Sequence, residues 1–426
     1  MENKILIKNI ILKGEKKDIL IEGNLISKIG ELIDFSEDEL LDKNNRVIDG
    51  ASKTVIPSFI NMHTHAGMTL LRGYREDAPL FDWLHSVWAV EDHIDGEMIY
   101  WATRLACLEM IKTGTTAYND MYFSINEAAK AVEDAGIRAL FCCCLCDAGN
   151  EARKKFDRER LQIWYEDSKK WNERVKFCVG LHAPYTVCEE NIVWACEFAR
   201  EHNLLIHTHI AETEKEFNDI LEQKGLSPVQ YMDKIGALAD DVISAHSLWL
   251  DEKDVEILGK RGVHIVHNIN SNLKLASGYA FKYSELRDAG ANICLGTDGA
   301  GSSNNLDMLE TMKTSALMQK GWRRDSTAMP IAELLDTTTV NAAKALRLNA
   351  GKIEEGYLAD LLLINTNSYA FLPDFNFEAN LIYSANSSCI DTVVCDGKVL
   401  MENRIVPGEE EIMKNFKIQL ERLMKS

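Results

Sequence analysis

The sequence predicts an α/β chain: a (β/α)8 TIM-like barrel with a small β-sandwich domain formed from both chain termini. Three observations predict it. From about residue 54, eight apolar strand-length runs alternate with helix-length amphipathic stretches, the pattern of a parallel sheet with crossover helices. At both ends of the chain, by contrast, short Ile- and Leu-rich runs are separated by turn residues. No Gly-x-Gly-x-x-Gly follows an early strand, which disfavours the open, doubly wound sheet of dinucleotide-binding proteins. The expected division is 1–55 and 350–408 for the small domain, 56–349 for the barrel and 409–426 for a C-terminal helix.

The elements follow in order. Residues 3–12 and 18–29 read as short strands, with Gly14 between them and a turn at Glu22-Gly23-Asn24. Asp34 to Asn45 is acidic and polar, a loop, and Val47–Gly50 is a further short strand. The eight barrel strands are expected at Thr54–His65, Thr115–Asn119, Ile137–Cys146, Val175–Leu181, Leu204–His209, Asp241–His246, Val263–His267 and Ala291–Thr297. Helices are expected at Glu97–Lys112, Glu189–Glu201, Glu252–Lys260 and Ile331–Arg347, and Trp83–Glu91 reads as a long loop after the first strand. The chain then returns to strands at Ala359–Ile364 and to a hairpin around Asp396-Gly397, before a helix over Glu409–Lys425.

Composition narrows the function. The 426 residues suffice for a large core, and 46% hydrophobic with 27% charged residues is ordinary for a globular protein. The formal charge of −19 opposes binding to nucleic acid or to anionic membranes. No apolar window of about 18 residues marks a membrane span. The start, Met1 to Ile5, lacks a signal-peptide pattern, so the 11 cysteines are expected to be free thiols in a reducing cytoplasm.

The chemistry lies at the strand ends, where a (β/α)8 enzyme places its active site. Alternate residues of a strand share a face, so His63 and His65 can aim two imidazoles at one point, as a divalent metal requires. His182 follows the fourth strand, His207 and His209 end the fifth with Glu212 just beyond, His246 ends the sixth, and Asp298 ends the eighth. His85, His93, His264 and His267 fit no pattern. Cys142, Cys144 and Cys146 share one strand face and read as small buried side chains. The zinc-deaminase signature containing Pro-Cys-x-x-Cys is absent, since no Pro-Cys occurs.

These residues carry a resemblance. Pro57–Leu71 with His63 and His65, His182-Ala183-Pro184-Tyr185, His209-Ile210-Ala211-Glu212-Thr213, Ala245-His246 and Gly296-Thr297-Asp298-Gly299 together resemble the amidohydrolase superfamily. Within it the chain is similar to the 5-methylthioadenosine/S-adenosylhomocysteine deaminases. Guanine and cytosine deaminases and aminotriazine chlorohydrolases share much of the pattern. The resemblance implies deamination of a 5′-modified adenosine (methylthioadenosine, S-adenosylhomocysteine or a relative) to the inosine product and ammonia, by metal-activated water. The alternative is a deaminase or chlorohydrolase of a free heterocycle.

The resemblance also implies roles. His63, His65, His209 and Asp298 would hold one divalent metal, with Zn²⁺ first choice and Fe²⁺ or Mn²⁺ compatible with these donors. Some relatives bridge two metals with a lysine at the fourth strand's end, but Cys178–His182 contains none. Glu212 would protonate the ring nitrogen, Asp298 would accept the water proton, and His246 would orient and polarise the attacking oxygen. Glu91 would bind the ribose hydroxyls and His182 the nucleoside, with Glu212 and Asp298 also in contact, while Trp83 and Trp88 are wall or packing residues. A homo-oligomer is implied as well. One position departs: Cys143 stands where an arginine is expected on the third strand. Either Arg153 or Arg158 compensates, or the pocket takes a smaller uncharged 5′ group.

Overall fold

A computed structural model describes residues 4–425. The first residues of the strand expected from residue 3, the amino-terminal stretch Met1–Asn3 and the last residue, Ser426, lie outside it.

Sixteen strands fall into two sheets. The N-terminal ones are β1 (Lys4–Leu12), β2 (Glu15–Glu22), β3 (Leu25–Gly30), β4 (Arg46–Asp49) and β5 (Lys53–Pro57). The barrel follows with β6 (Phe59–Thr64), β7 (Thr115–Asp120), β8 (Arg138–Leu145), β9 (Val175–Leu181), β10 (Ile206–Ile210), β11 (Val242–His246), β12 (His264–His267) and β13 (Asn292–Leu295). The chain closes with β14 (Leu361–Asn365), β15 (Ile390–Cys395), β16 (Lys398–Met401) and a helix at Glu409–Leu423.

The strands β6 to β13 are parallel and pair in sequence order. Every residue of β6, β7, β10 and β11 is buried, the polar ones included, as in a parallel sheet covered on both faces. Ile60, Met62, Ala117, Cys142, Cys178, Ile243, Val266 and Cys294 pack inside the barrel. Phe59, Tyr118, Phe141, Cys143, Val179, Ile206, Ile265 and Ile293 join the layer under the helices.

The barrel closes between β13 and β6 through side chains. Asn61 Oδ1 accepts the Thr297 N–H at 3.0 Å, and its amide nitrogen donates to Thr297 Oγ1 at 2.7 Å. One residue on, the Asp298 N–H donates to the His63 carbonyl at 2.9 Å. Gly296 permits the approach, because a Cβ there would lie 2.8 Å from the His63 nitrogen.

In the small domain the order is β16-β15-β14-β5-β1-β2-β3, with β4 beside β1, around a shared core that includes Ile7, Ile19, Val55, Leu361 and Val394. The two chain ends meet where β5 pairs antiparallel with β14. This splits the single strand expected over Thr54–His65. Ser58 N–H donates to the Asp360 carbonyl and Phe59 N–H to that of Gly114, so consecutive residues join different sheets. Between the two units Arg138 is buried against Asp360, with its Nε 2.7 Å from Oδ2, and donates to Asp396 Oδ1 at 2.7 Å. The Asp396-Gly397 turn has positive φ at both residues, as a two-residue hairpin requires.

Other expectations change. Asp34–Asn45 contains a short helix, Glu37–Leu41, begun by a Ser36/Glu39 capping box. Trp83–Glu91 is not a loop but most of a helix, Leu80–Glu91, so Glu91 sits at a helix end. The helix expected over Ile331–Arg347 breaks at Thr339, where the hydroxyls of Thr337, Thr338 and Thr339 all bond back to carbonyls of Leu334 and Leu335. Among the described residues no helix is long and apolar enough to cross a membrane.

The closure sets a stability prediction. Asn61→Leu keeps the bulk but leaves the buried Thr297 N–H without its acceptor and removes the bond its hydroxyl accepts. The expected cost is about 2–4 kcal/mol, seen as a lower denaturant midpoint with an unchanged slope. An unchanged midpoint would show that Asn61 does not hold the barrel shut.

Candidate functional site

Four strand ends converge on one point. His63 comes from β6, His209 from β10 and His246 from β11, and their ring nitrogens lie within 4.8 Å of one another. The same limit joins His63, His65 and Asp298. His65 Nε2 lies 3.1 Å and His63 Nε2 3.4 Å from Asp298 Oδ1. His246 Nε2 lies 3.7 Å from Glu212 Oε2. All of the expected metal and proton-transfer residues therefore share one cluster.

The backbone around them is unusual. Ala211, His246, Ser247 and Asp298 all have positive φ, between 48° and 73°. Non-glycine residues adopt this conformation at a cost. Here the left-handed residues turn the chain at the strand ends.

Hydrogen bonds fix the rings. His65 Nδ1–H donates to the Met121 carbonyl at 2.5 Å, and His209 Nδ1–H donates to the His182 carbonyl at 2.6 Å. His63 Nδ1 lies 2.9 Å from His207 Nε2. Each Nδ1 is thus engaged, and the Nε2 atoms of His63 and His65 are turned toward Asp298. Such bonding to backbone and neighbours is the usual support of metal-ligating histidines. His63 Nε2 is fully buried with no hydrogen-bond partner, a state that costs free energy unless something else binds it. His63 belongs to both groups of possible ligands, with His209 and His246 in one and His65 and Asp298 in the other, and its unpartnered nitrogen fits a divalent cation.

The electrostatics agree. Burial pushes His63 down to about 4 and His209 well below the ordinary histidine range, so both are neutral, as ligands must be. Burial opposes charge on Asp298 as well, yet the adjacent His63 and His65 rings hold its carboxyl well below the usual range. Burial would likewise lower His65, but Asp298 overrides it and pushes the ring up to about 9. His65 and Asp298 thus form a buried pair of opposite charge, 3.1 Å apart.

Above the cluster lies a cavity of about 470 Å³, lined in part by His65, Glu91, His182, Glu212, His246 and Asp298. Glu212 is raised by burial, against the effect of His246. Its turn is clamped by Glu216, which accepts the N–H groups of Ala211 and Glu212, each at 2.8 Å. Glu91 is raised by burial too, and Tyr122 donates its hydroxyl to Glu91 Oε1 at 2.6 Å. His182 Nδ1 lies 2.7 Å from Thr186 Oγ1. Trp83 is buried and also lines the cavity, whereas Trp88 stands half-exposed at its edge.

Several expectations need correction or addition. Cys143 faces the helices rather than the cavity, while Cys144 and Cys146 line it, as strand alternation requires. Arg158 points elsewhere, stacking on Trp194 and bonding Asn191. Arg153 does line the cavity, and so does Arg160, which was not singled out; Arg160 Nη2 donates to the Cys144 carbonyl at 2.5 Å. Both come from the helix Glu151–Ser168. Ser271 and Asn272 were also missed. Ser271 Oγ–H donates to Asp298 Oδ2 at 2.6 Å, and Asn272 Nδ2 lies 3.0 Å from His246 Nδ1. The His267 ring is buried, stacked on Phe281, and neither of its nitrogens has a hydrogen-bond partner.

Known proteins resemble the whole arrangement. The amidohydrolase family profile matches residues 54–400. A 5′-deoxyadenosine deaminase of Methanoregula boonei is 46% identical over 371 residues, 86% of this chain and 84% of its own. A 5-methylthioadenosine/S-adenosylhomocysteine deaminase of Thermococcus sibiricus is 44% identical over 405 residues, 93% of this chain and 94% of its own. The solved structure of an adenosine deaminase from Xanthomonas campestris with bound zinc superimposes with a TM-score of 0.90 at 28% identity, covering 100% of this chain and 99% of its own.

The cluster makes a direct prediction. His209→Ala should reduce bound divalent metal, measured by elemental analysis of purified protein, from about one equivalent to well below it. His264→Ala, at the far end of β12, should leave the content unchanged. Equal metal content in the two variants would remove His209 from the ligand set.

Proposed function

The chain belongs to the amidohydrolase family, and from that premise we propose that it deaminates a 5′-modified adenosine, converting the ring amino group and one water to the inosine-type product and ammonia. The observation that carries this reading is a single cavity holding both the histidine cluster and the buried Glu91 carboxylate. Relatives with these activities over nearly the whole chain support it.

We assign the metal as Zn²⁺, held by His63, His65, His209 and Asp298; the same donors accept Fe²⁺ or Mn²⁺. When bound, the metal supplies Lewis acidity that makes water nucleophilic near neutral pH. The chain's own groups do the rest. Asp298 takes a proton from the attacking water. Glu212, whose burial favours its protonated form, donates to the ring nitrogen as the carbon is attacked. His246 holds the attacking oxygen by a hydrogen bond. Asp298 then gives its proton to the departing ammonia, and Glu212 regains one from the hydroxyl left on the ring carbon as the carbonyl forms.

Recognition divides along the cavity. Glu91, oriented by Tyr122, keeps acceptor capacity for two adjacent ribose hydroxyls. His182 contacts the nucleoside. Arg153 and Arg160 bring positive charge to the same cavity, which a 5′ group bearing a carboxylate would meet. A cytoplasmic homo-oligomer completes the proposal; all 11 cysteines are free, as a reducing compartment allows.

The test is ammonia release from 5′-deoxyadenosine, methylthioadenosine, S-adenosylhomocysteine, guanine and cytosine with metal-replete protein. Turnover of a 5′-modified adenosine is expected. Turnover confined to the free bases would overturn the substrate class. Glu91→Gln should raise KM for the nucleoside by about tenfold or more, with a smaller effect on any free base turned over. Arg160→Met should lower kcat/KM for S-adenosylhomocysteine by roughly tenfold relative to 5′-deoxyadenosine, an effect of about 1.4 kcal/mol. Equal effects on the two substrates would remove Arg160 from recognition of the 5′ group.

A further inference from the structure

The four histidines of the cluster are not supported alike. His65 and His209 donate through Nδ1 to carbonyl oxygens, and His63 Nδ1 meets another ring nitrogen. His246 Nδ1 instead faces amide NH₂ groups: that of Asn272 at 3.0 Å and that of Asn268 at 3.5 Å, while the Oδ1 atoms of both amides are buried without a partner. An amide NH₂ can only donate. The partner of one ring nitrogen decides where the imidazole proton sits, and these donors favour His246 Nδ1 as the acceptor with the proton on Nε2. That Nε2 is the atom 3.7 Å from Glu212 Oε2.

We propose that Asn272 is a positioning residue that sets the tautomer of His246. Through it, His246 presents an N–H donor rather than a lone pair to the reacting centre. This rests on the deaminase reading and deepens it. Two overlapping sets of possible ligands exist, one with His246 and one with His65 and Asp298. The Nε2–H tautomer cannot ligate a metal, so it places His246 with the proton-handling groups. The neighbouring Ser271 acts on the other such group, since its hydroxyl holds Asp298 Oδ2 while the Gly299 N–H holds Oδ1 at 2.8 Å. Both come from one buried turn, the short helix Ile269–Lys274 after β12, a strand that itself supplies no ligand. The turn therefore presets His246 from β11 and Asp298 beyond β13 together.

The test uses full-length, metal-replete protein labelled with ¹⁵N-histidine. His246 signals are identified by their loss in His246→Gln. The wild type should show His246 protonated at Nε2 and unprotonated at Nδ1, a reading that needs no substrate. Asn272→Asp offers an acceptor in place of the donor and should move the proton to Nδ1. Reversing a tautomer in this way, the inverse of the Asp-to-Asn change in the serine-protease triad, should cost about 10²–10⁴-fold in kcat. KM should stay within about threefold and metal content should not change. Asn272→Ala, which removes the donor without supplying an acceptor, should lose less. Protonation of wild-type His246 at Nδ1 would overturn the proposal. So would equal losses in both variants accompanied by loss of metal and thermal stability, the signature of a merely structural residue. Failure of the wild type to deaminate any adenosine would sink the functional reading, and the tautomer measurement would still decide this one.

Discussion

Closure of the barrel is the constraint on which the rest depends. Parallel strands leave two edges, β13 and β6, that must meet for a mouth to exist. They meet through the Asn61 amide, which grips Thr297, and through the Asp298 N–H on the His63 carbonyl. The same contacts that shut the barrel therefore put the Asp298 carboxylate against His63 and His65. Stability and site geometry are one set of hydrogen bonds here. Asn61, two residues before His63 in the same strand, belongs to the site as much as to the core.

Around that closure the site is organised by what each imidazole does with its outward nitrogen. Backbone carbonyls take the Nδ1 protons of His65 and His209, and side-chain amides meet His246 instead. Identical side chains thus acquire opposite roles from their supports. The low dielectric of the buried cluster strengthens each of these bonds and penalises any that is left unmade. The left-handed residues at the strand ends are part of the same arrangement, tolerated because the packed barrel holds them.

Much of this was legible in the sequence, for a physical reason. Strands buried on both faces must be apolar throughout, so the polar residues that end them stand out. His63, His65, His209, His246 and Asp298 were visible that way, and the βα alternation gave their common mouth. The change of sheet at Ser58 was not visible, because β5 and β6 form one apolar run and only pairing separates them. Cys143 was taken as the residue facing substrate, although alternation from Cys142 and Cys144 puts it on the opposite face. Ser271 and Asn272 carried no signal at all. They act through other side chains, and ordinary polar residues in a short turn have no telling spacing. The Ser36/Glu39 capping box, in contrast, was readable and overlooked.

The joining of β5 to β14 has a consequence for how the chain is made. Leu361 pairs with Pro57, more than three hundred residues apart, so β5 leaves the ribosome with one edge bare. It stays so while the whole barrel is synthesised behind it. The ion pairs of Arg138 with Asp360 and Asp396, 222 and 258 residues further on, also wait until the last part of the chain emerges. Pairings this distant are slow to form, and an open strand edge invites association with other chains. The nascent protein is therefore most vulnerable after its catalytic barrel has been translated and before its final strands have. The lysines and glutamates of β2, which lies between β1 and β3, keep part of that waiting sheet charged.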